Sequence, residues 1–387
     1  MLNFNYSIPT RVIFGKGKIA VLAEEVKKYG NKVLLVYGGG SIKKSGLYDT
    51  IVDIFNTNKI SFWELSGVKP NPRISSVRKG ITICKEQQID LVLAVGGGST
   101  IDCAKVIAAG FYYQNDAWDI VIDPFKITKV LPVATVLTLA ATGSEMNSGA
   151  VITNLETNEK LATGNKEMAP KFSIMDPTYT FTVPKNQTAA GTADIMSHIF
   201  EVYFSNTQSA YVQNRLAEAL LKTCIHYGTI ALKEPENYEA RANLMWTGSL
   251  AINGLLSYGK ETEWSVHGME HELSAIYDIT HGVGLAILTP YWMEYALNEE
   301  TLAKFVEYGI NVWGIANNKP QEEIAKEAIV KTRDYFVSLG LPTSLTAVGI
   351  DEKELANMAH KATTRGTLGK FKVLNAQDVL NIYKLAL

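Results

Sequence analysis

Cysteine is scarce in this chain, and its placement excludes more than its number does. Only Cys84, Cys103 and Cys224 occur among 387 residues, far apart and never as a CxxC pair. A disulfide framework, a zinc knuckle and an iron–sulfur centre are all left without ligands. Each cysteine lies in an apolar helical context, so buried, reduced thiols are expected, in keeping with a cytoplasmic location. A surplus of charge is also lacking. The 37 Lys and Arg against 39 Asp and Glu leave a formal net charge of -2. No basic block marks a nucleic-acid face, so that partner class is not expected. Long hydrophobic runs are missing as well. The most apolar stretch, Val130 to Gly143, is too short to span a bilayer and contains Pro132. The opening MLNFNYSIPTRVIFGKGK has neither the charged region nor the apolar core of a signal peptide, so neither export nor a membrane partner is expected. Low-complexity tracts and short repeats do not occur.

What is present is a balanced composition, 47% hydrophobic and 20% charged, typical of a globular protein. A chain of this length buries a large core without a structural metal, so any metal here serves chemistry. The first half alternates short β-branched runs with helical patterns. Lys32 to Tyr37 reads as a buried strand running into Gly38-Gly39-Gly40, and Asp90 to Val95 as another running into Gly96-Gly97-Gly98. Helical patterns at Ala20 to Tyr29 and Ile74 to Gln87 precede them, and a third strand near Val133 to Leu137 leads into Ala141-Thr142-Gly143-Ser144. That alternation predicts an α/β domain with a parallel sheet covered on both faces. From Pro184 onward the patterns are helical, with Pro184 at an early helical position, a buried helix over Ala240 to Leu256 and an amphipathic one over Glu322 to Leu339. The expected division is a dinucleotide-binding α/β domain over 1–182 and an all-α domain over 183–387.

Glycine-rich turns after buried strands let a backbone approach phosphate, and a helix N-terminus behind them favours anions. In GGGSTIDCAK, residues 96 to 105, Gly97 and Gly98 offer N–H groups to a pyrophosphate, Ser99 is expected to cap the helix, and Asp102 falls in its first turn. The pattern is not GxGxxG and alone is a weak signal. The first loop, GGGSIKK at 38 to 44, lacks the acid that would bind the ribose 2′-hydroxyl of NAD and repel the 2′-phosphate of NADP. It carries Ser41, Lys43 and Lys44 instead, which predicts a preference for NADPH.

Histidine is also sparse, with six in all, yet four fall in two short apolar segments. Asp194 and His198 stand at i and i+4, a spacing that brings side chains together on one helix face. His267 and His271 repeat the spacing, and His281 follows at a turn-to-helix junction. One carboxylate with several imidazoles suits one divalent metal, Fe(II) or Zn(II).

At these residues the chain resembles the iron-containing alcohol dehydrogenase family. The matching motifs are GGGS at 38 to 41, PNP at 70 to 72, GGGS-x-x-D at 96 to 102, ATGSE at 141 to 145, Asp194-x-x-x-His198, and His267-x-x-x-His271 followed by His281-Gly282. The segments FGKGKI, ELSGV and MEHELSA are similar to bacterial NADPH-dependent butanol dehydrogenases. The resemblance implies a Rossmann-like domain followed by a helical one, with the active site in the cleft between them. It implies metal ligation by Asp194, His198, His267 and His281, with His271 in the pocket but not a ligand. NADP(H) contacts are implied at Gly38, Gly39, Ser41, Asn71, Gly97, Gly98, Ser99, Asp102, Thr138, Leu139, Thr142, Ser144 and Lys160. It further implies a short-chain aldehyde or primary alcohol as substrate and a homodimer, in which the strand-like Arg11 to Phe14 would cross to the partner. By position, Ile252 and Trp264 are further pocket candidates.

The chemistry that follows is hydride transfer between NADP(H) and a carbonyl polarised by the metal, with His271 as the candidate proton relay. The rival is a non-redox lyase of the dehydroquinate-synthase type. Its polyanionic substrate would call for Lys and Arg near the metal, and segments 191–204 and 264–284 contain neither. A metal-dependent hydrolase would leave both glycine loops unexplained.

Overall fold

The computed structural model describes every residue except Gln208. The chain divides into two compact units, one of Ser7–Val183 with Glu236–Ser249, the other of Met1–Tyr6, Pro184–Pro235 and Leu250–Leu387. Two short segments therefore leave sequence order. Among the described residues no helix is long and apolar enough to cross a membrane.

In the first unit the strands are β1 (Arg11–Phe14), β2 (Lys32–Tyr37), β3 (Ser61–Leu65), β4 (Leu91–Gly96), β5 (Val133–Leu137), β6 (Gly149–Asn154), β7 (Glu159–Gly164) and β8 (Phe172–Met175). The helices between them are α1 (Leu22–Lys27), α2 (Ser41–Lys44), α3 (Leu47–Thr57), α4 (Ile74–Gln87), α5 (Gly98–Gly110) and α6 (Ala117–Ile122). Six strands form one sheet in the order β1-β8-β5-β4-β2-β3, and every pairing is parallel. Burial on both faces explains the continuous apolar strands. Leu34 and Val36 enter one core with Val92 and Ala94, while Val33 and Leu35 enter the other with Leu91 and Leu93. This is the two-residue period of a strand with both faces packed.

The strand order places the functional loops. The chain leaves β2 outward to β3, returns across it to β4, then continues on the other side to β5. Connections thus diverge between β2 and β4, and the carboxyl ends of such a pair form the usual ligand crevice of an open α/β sheet. Tyr37 is in register with Val95, so the two glycine loops emerge side by side.

Three details differ from the sequence-based expectation. Gly97 is the N-cap of α5 and Gly98 its first residue, so Ser99 lies inside the helix and does not cap it. Gly98 can start the helix early because it carries no Cβ: one there would overlap Thr142. Strand β1 pairs with β8 of its own chain at the end of the sheet. The antiparallel β6–β7 hairpin was not expected from the sequence. Pro184 is the N-cap of the following helix, one residue before its first turn.

The second unit is helical: α7 (Lys185–Tyr203), α8 (Tyr211–Lys233), α10 (Ser265–Tyr277), α11 (His281–Ala296), α12 (Leu302–Asn311), α13 (Gln321–Ser338), α14 (Leu355–Ala362) and α15 (Ala376–Leu385), while most of α9 (Tyr238–Ile252) belongs to the first unit. Helix α7 is buried at every position from Thr188 to Tyr203, which makes it a central element. Its apolar positions fill every face, so a stripe-based reading carries little information about its contacts. The approach of α11 to α7 is set by Gly282, where a Cβ would overlap the carbonyl of Ala190. Replacing Gly282 with Ala forces these helices apart and should cost about 1–3 kcal/mol of stability in denaturant unfolding. Gly39, with open space around it, is the control: Gly39→Ala should shift stability by less than about 0.5 kcal/mol.

Candidate functional site

The helical unit gathers the candidate metal-binding side chains from three helices. Asp194 and His198 project from one face of α7, His267 from the first turn of α10, and His281 is the first residue of α11. Asp194, His198 and His267 are 3%, 5% and 6% exposed, so any charge among them is shielded from water. Single donor atoms of Asp194, His267 and His281 lie within 4.8 Å of one another. Asp194 Oδ1 is 3.6 Å from His198 Nε2 and 3.8 Å from His281 Nε2. The His198 ring stacks on His267 with centroids 4.8 Å apart, beside the three-residue cluster.

Two carboxylates set the imidazole tautomers. Glu201 Oε1 accepts from the His267 backbone N–H and lies 3.0 Å from its Nδ1. Glu270 pairs in the same way with Nδ1 of His281, and Ser274 donates to Glu270. A carboxylate on Nδ1 keeps the proton there and leaves the Nε2 lone pair for a ligand, the arrangement that supports metal-bound histidines. The buried Nε2 of His267 and Nδ1 of His198 have no hydrogen-bond partner. Burial, with His267 and His281 nearby, pushes the His198 pKa well below its ordinary value, so its imidazole is neutral and able to donate a lone pair. Buried acids, the neutral imidazole of His198 and unpartnered nitrogens together fit a divalent cation.

Glu201 and Glu270 were missed in the sequence, although both follow a histidine at i+3 within an apolar helix. His271 lies beside His281, with ring centroids 5.8 Å apart. Trp264 caps α10 in the left-handed region at φ 61°, which a bulky residue rarely adopts, and its ring stands 5.1 Å from that of His267. Its neighbour Glu263 holds that backbone in place by accepting from the backbone N–H groups of Lys370 and Phe371.

In the α/β unit the expected cofactor residues collect at the carboxyl edge of the sheet. Gly38, Gly39 and Ser41 follow β2, with Gly97, Gly98 and Ser99 after β4. Thr138 donates its N–H to Gly96, and the Leu139 side chain lies where a Cβ on Gly97 would be 3.0 Å away. Asn71 adopts a left-handed conformation at φ 51°, which suits its residue type. Asp102 points inward: it accepts from Ser144 Oγ at 2.5 Å and from the Val151 N–H at 2.9 Å. Lys105, fully buried, donates to Ser144, Asn147 and the Gly149 carbonyl. Asp102 and Lys105 therefore fix the loop that carries Thr142 and Ser144. Burial lowers the Lys105 pKa to about 8, opposed by the nearby Asp102 and Glu145. Lys160 lies on β7, close enough to Asp102 to act on its charge.

The assembly of the helical cluster gives a direct test. His267→Ala or His281→Ala should abolish stoichiometric metal binding with helical circular dichroism retained. Glu201→Gln should weaken metal affinity by about 10–100-fold. Metal content near that of the unaltered protein in either alanine variant would overturn the site.

The comparisons with known proteins agree with this geometry. Residues 9–177 match the family model described as iron-containing alcohol dehydrogenase. Residues 188–387 match that of the Fe-containing alcohol dehydrogenase family, C-terminal. The chain is 66% identical over 386 residues to NADH-dependent butanol dehydrogenase A of Clostridium acetobutylicum, covering 99% of each. It is 40% identical over 370 residues to the NADPH-dependent aldehyde reductase YqhD of Escherichia coli, covering 95% of this chain and 94% of the relative. The crystal structure of NADH-dependent butanol dehydrogenase A from Thermotoga maritima superposes with a TM-score of 0.96 at 41% identity, covering 100% of this chain and 99% of that one. Relatives named for either cofactor thus flank the chain, and the names alone do not support the NADPH preference expected from the first loop. Matched along nearly its whole length, the chain belongs to the iron-containing alcohol dehydrogenase family.

Proposed function

We propose that this protein interconverts short aliphatic aldehydes and primary alcohols, transferring a hydride to or from a nicotinamide dinucleotide at a site activated by one divalent metal. The observation that carries the reading is the Asp194–His267–His281 cluster, buried at Asp194 and His267 and half-buried at His281, with Glu201 and Glu270 behind it. Metal-dependent alcohol and aldehyde oxidoreduction is the activity of the family to which the chain belongs. The substrate class follows the butanol and aldehyde names of its relatives. Nothing favours a lyase of the dehydroquinate-synthase type, since the ligand-bearing segments hold no Lys or Arg.

Asp194, His198, His267 and His281 would hold the cation, with iron(II) favoured over zinc by the family assignment. A cation held there supplies Lewis acidity toward a carbonyl or alcohol oxygen, and the dinucleotide supplies or accepts the hydride. Glu201 and Glu270 keep the imidazoles of His267 and His281 oriented and basic. His271, half-buried beside His281, is placed to pass a proton between the alcohol oxygen and solvent. Trp264 walls the imidazole cluster on one side.

Backbone N–H groups at Gly97 and Gly98, with the N-terminus of α5 behind them, suit a pyrophosphate. At the first loop, Gly39 has open space where a carboxylate would repel a 2′-phosphate, and Ser41 is exposed to bond one. That supports use of NADPH. The names of the clostridial relatives support use of NADH. The reading that accommodates both is an enzyme that accepts either dinucleotide. A homodimer and a cytoplasmic location belong to the same reading, and β1, the terminal strand of the sheet, offers an edge for association.

The test is oxidation of NADPH and NADH by the metal-loaded enzyme with straight-chain aldehydes of increasing length. Turnover with a short aldehyde is expected with both cofactors, and failure with every aldehyde would overturn the assignment. His271→Ala should retain metal and lose about 100-fold in kcat. Gly39→Asp should lower kcat/KM for NADPH by about 100-fold, mainly through KM, and spare NADH, because the new charge faces a phosphate remote from the hydride.

A further inference from the structure

Beside the first glycine loop, in the same unit, lies a charged group that the mechanism does not use. Glu64 stands on β3, which pairs with β2, and its register partner is Leu35. The hydroxyls of Tyr37 and Tyr48 both donate to its carboxylate, the latter at 2.7 Å. Lys43, on α2 just after Ser41, has its ammonium 4.0 Å from Glu64 and 4.4 Å from the centroid of the Tyr48 ring. The segment following β3 is tied to the loop itself. Gly67 N donates to the Gly38 carbonyl at 3.1 Å, and Val68 N to that of Tyr37 at 3.2 Å. A carboxylate that the loop sequence lacks is thus delivered to its flank by the neighbouring strand.

Burial pushes the Glu64 carboxyl up, but the two tyrosine hydroxyls and the Lys43 ammonium outweigh it and hold the group below its ordinary value. Glu64 is therefore an anion at neutral pH, with Lys43 as its counter-charge. Their side chains remain 35% and 50% exposed, so both stay open to a ligand rather than sealed in a core.

We propose that Glu64 and Lys43 act as a pair that sets the balance between NADH and NADPH at the first loop. Glu64 accepts a hydrogen bond from the ribose 2′-hydroxyl of NADH, and Lys43 turns from Glu64 toward the 2′-phosphate of NADPH. Lys43 offsets part of the negative charge that the 2′-phosphate brings beside Glu64, so neither cofactor is shut out. This rests on the reading that the first loop holds the adenosine ribose. It accounts for a chain with glycine at position 39 lying among relatives named for either cofactor.

The test uses adenosine 2′,5′-bisphosphate and 5′-AMP, which report on the ribose corner without metal or hydride chemistry. Calorimetric affinities for both are measured on the full chain and on Glu64→Gln, Lys43→Met and Gly39→Asp. The ratio favouring the bisphosphate should rise about tenfold in Glu64→Gln and fall about tenfold in Lys43→Met, the loss of one charge-assisted contact in each case. A purely structural role would weaken both ligands equally and leave the ratio alone. Lys43→Met alters an exposed side chain, so it reads the proposal even if the Glu64 variant folds poorly. An unmoved ratio in Lys43→Met, or in a folded Glu64→Gln, while Gly39→Asp shifts it, overturns the pair and leaves the loop reading standing. No shift in Gly39→Asp as well would remove the loop reading and the pair with it.

Discussion

A buried carboxylate facing imidazole lone pairs is the constraint on which the helical unit turns. Asp194 is 3% exposed, and Nε2 atoms of two histidines lie within 4 Å of one of its oxygens. Burying a carboxylate is costly without a compensating positive charge. His198 is not a source of that charge. Glu201 and Glu270 hold protons on the far nitrogens of His267 and His281, and burial keeps His198 neutral. The Nε2 atoms of His198 and His281 face the Asp194 carboxylate, and a divalent metal ion would satisfy the carboxylate and the imidazole lone pairs together. Close packing of α7 with α11 at Gly282 accompanies this arrangement, with His281, the first residue of α11, standing 3.8 Å from Asp194.

In the α/β unit the corresponding constraint is backbone access at the sheet edge. Glycines 97 and 98 are packed against Leu139 and Thr142 so closely that side chains there would collide. The loop they meet is itself pinned from below by Asp102, Ser144 and the buried Lys105. Rigid glycine turns over a braced polar network give N–H groups a fixed direction, which is what recognition of a phosphate by backbone atoms requires.

Much of this was legible in the sequence, for physical reasons that differ from residue to residue. Asp194 and His198 could be paired because helical spacing is encoded locally, and β2, β4 and β5 because burial on both faces leaves an unbroken apolar run. Strand β8 is only four residues long, too short to stand out, and neither strand of the β6–β7 hairpin, GAVITN or EKLATG, shows the regular alternation of a half-buried strand. Ser99 had the residue type of a cap, but tight packing of Gly98 against Thr142 started the helix earlier. Glu201 and Glu270 stand at i+3 from histidines in apolar segments, but a glutamate in a helix is ordinarily a surface residue, so their burial is legible only in the fold. Glu64 could not be placed, since its relation to the first loop depends on which strand neighbours β2.

Where a loaded metal ion binds is the decisive question for the helical unit. The most direct measurement is anomalous diffraction from crystals of the protein loaded with iron(II), recorded on either side of the iron edge. A single anomalous peak per chain, coordinated by Asp194, His198, His267 and His281, is the predicted result. A peak at other residues, or no peak at these four in fully loaded protein, would contradict it.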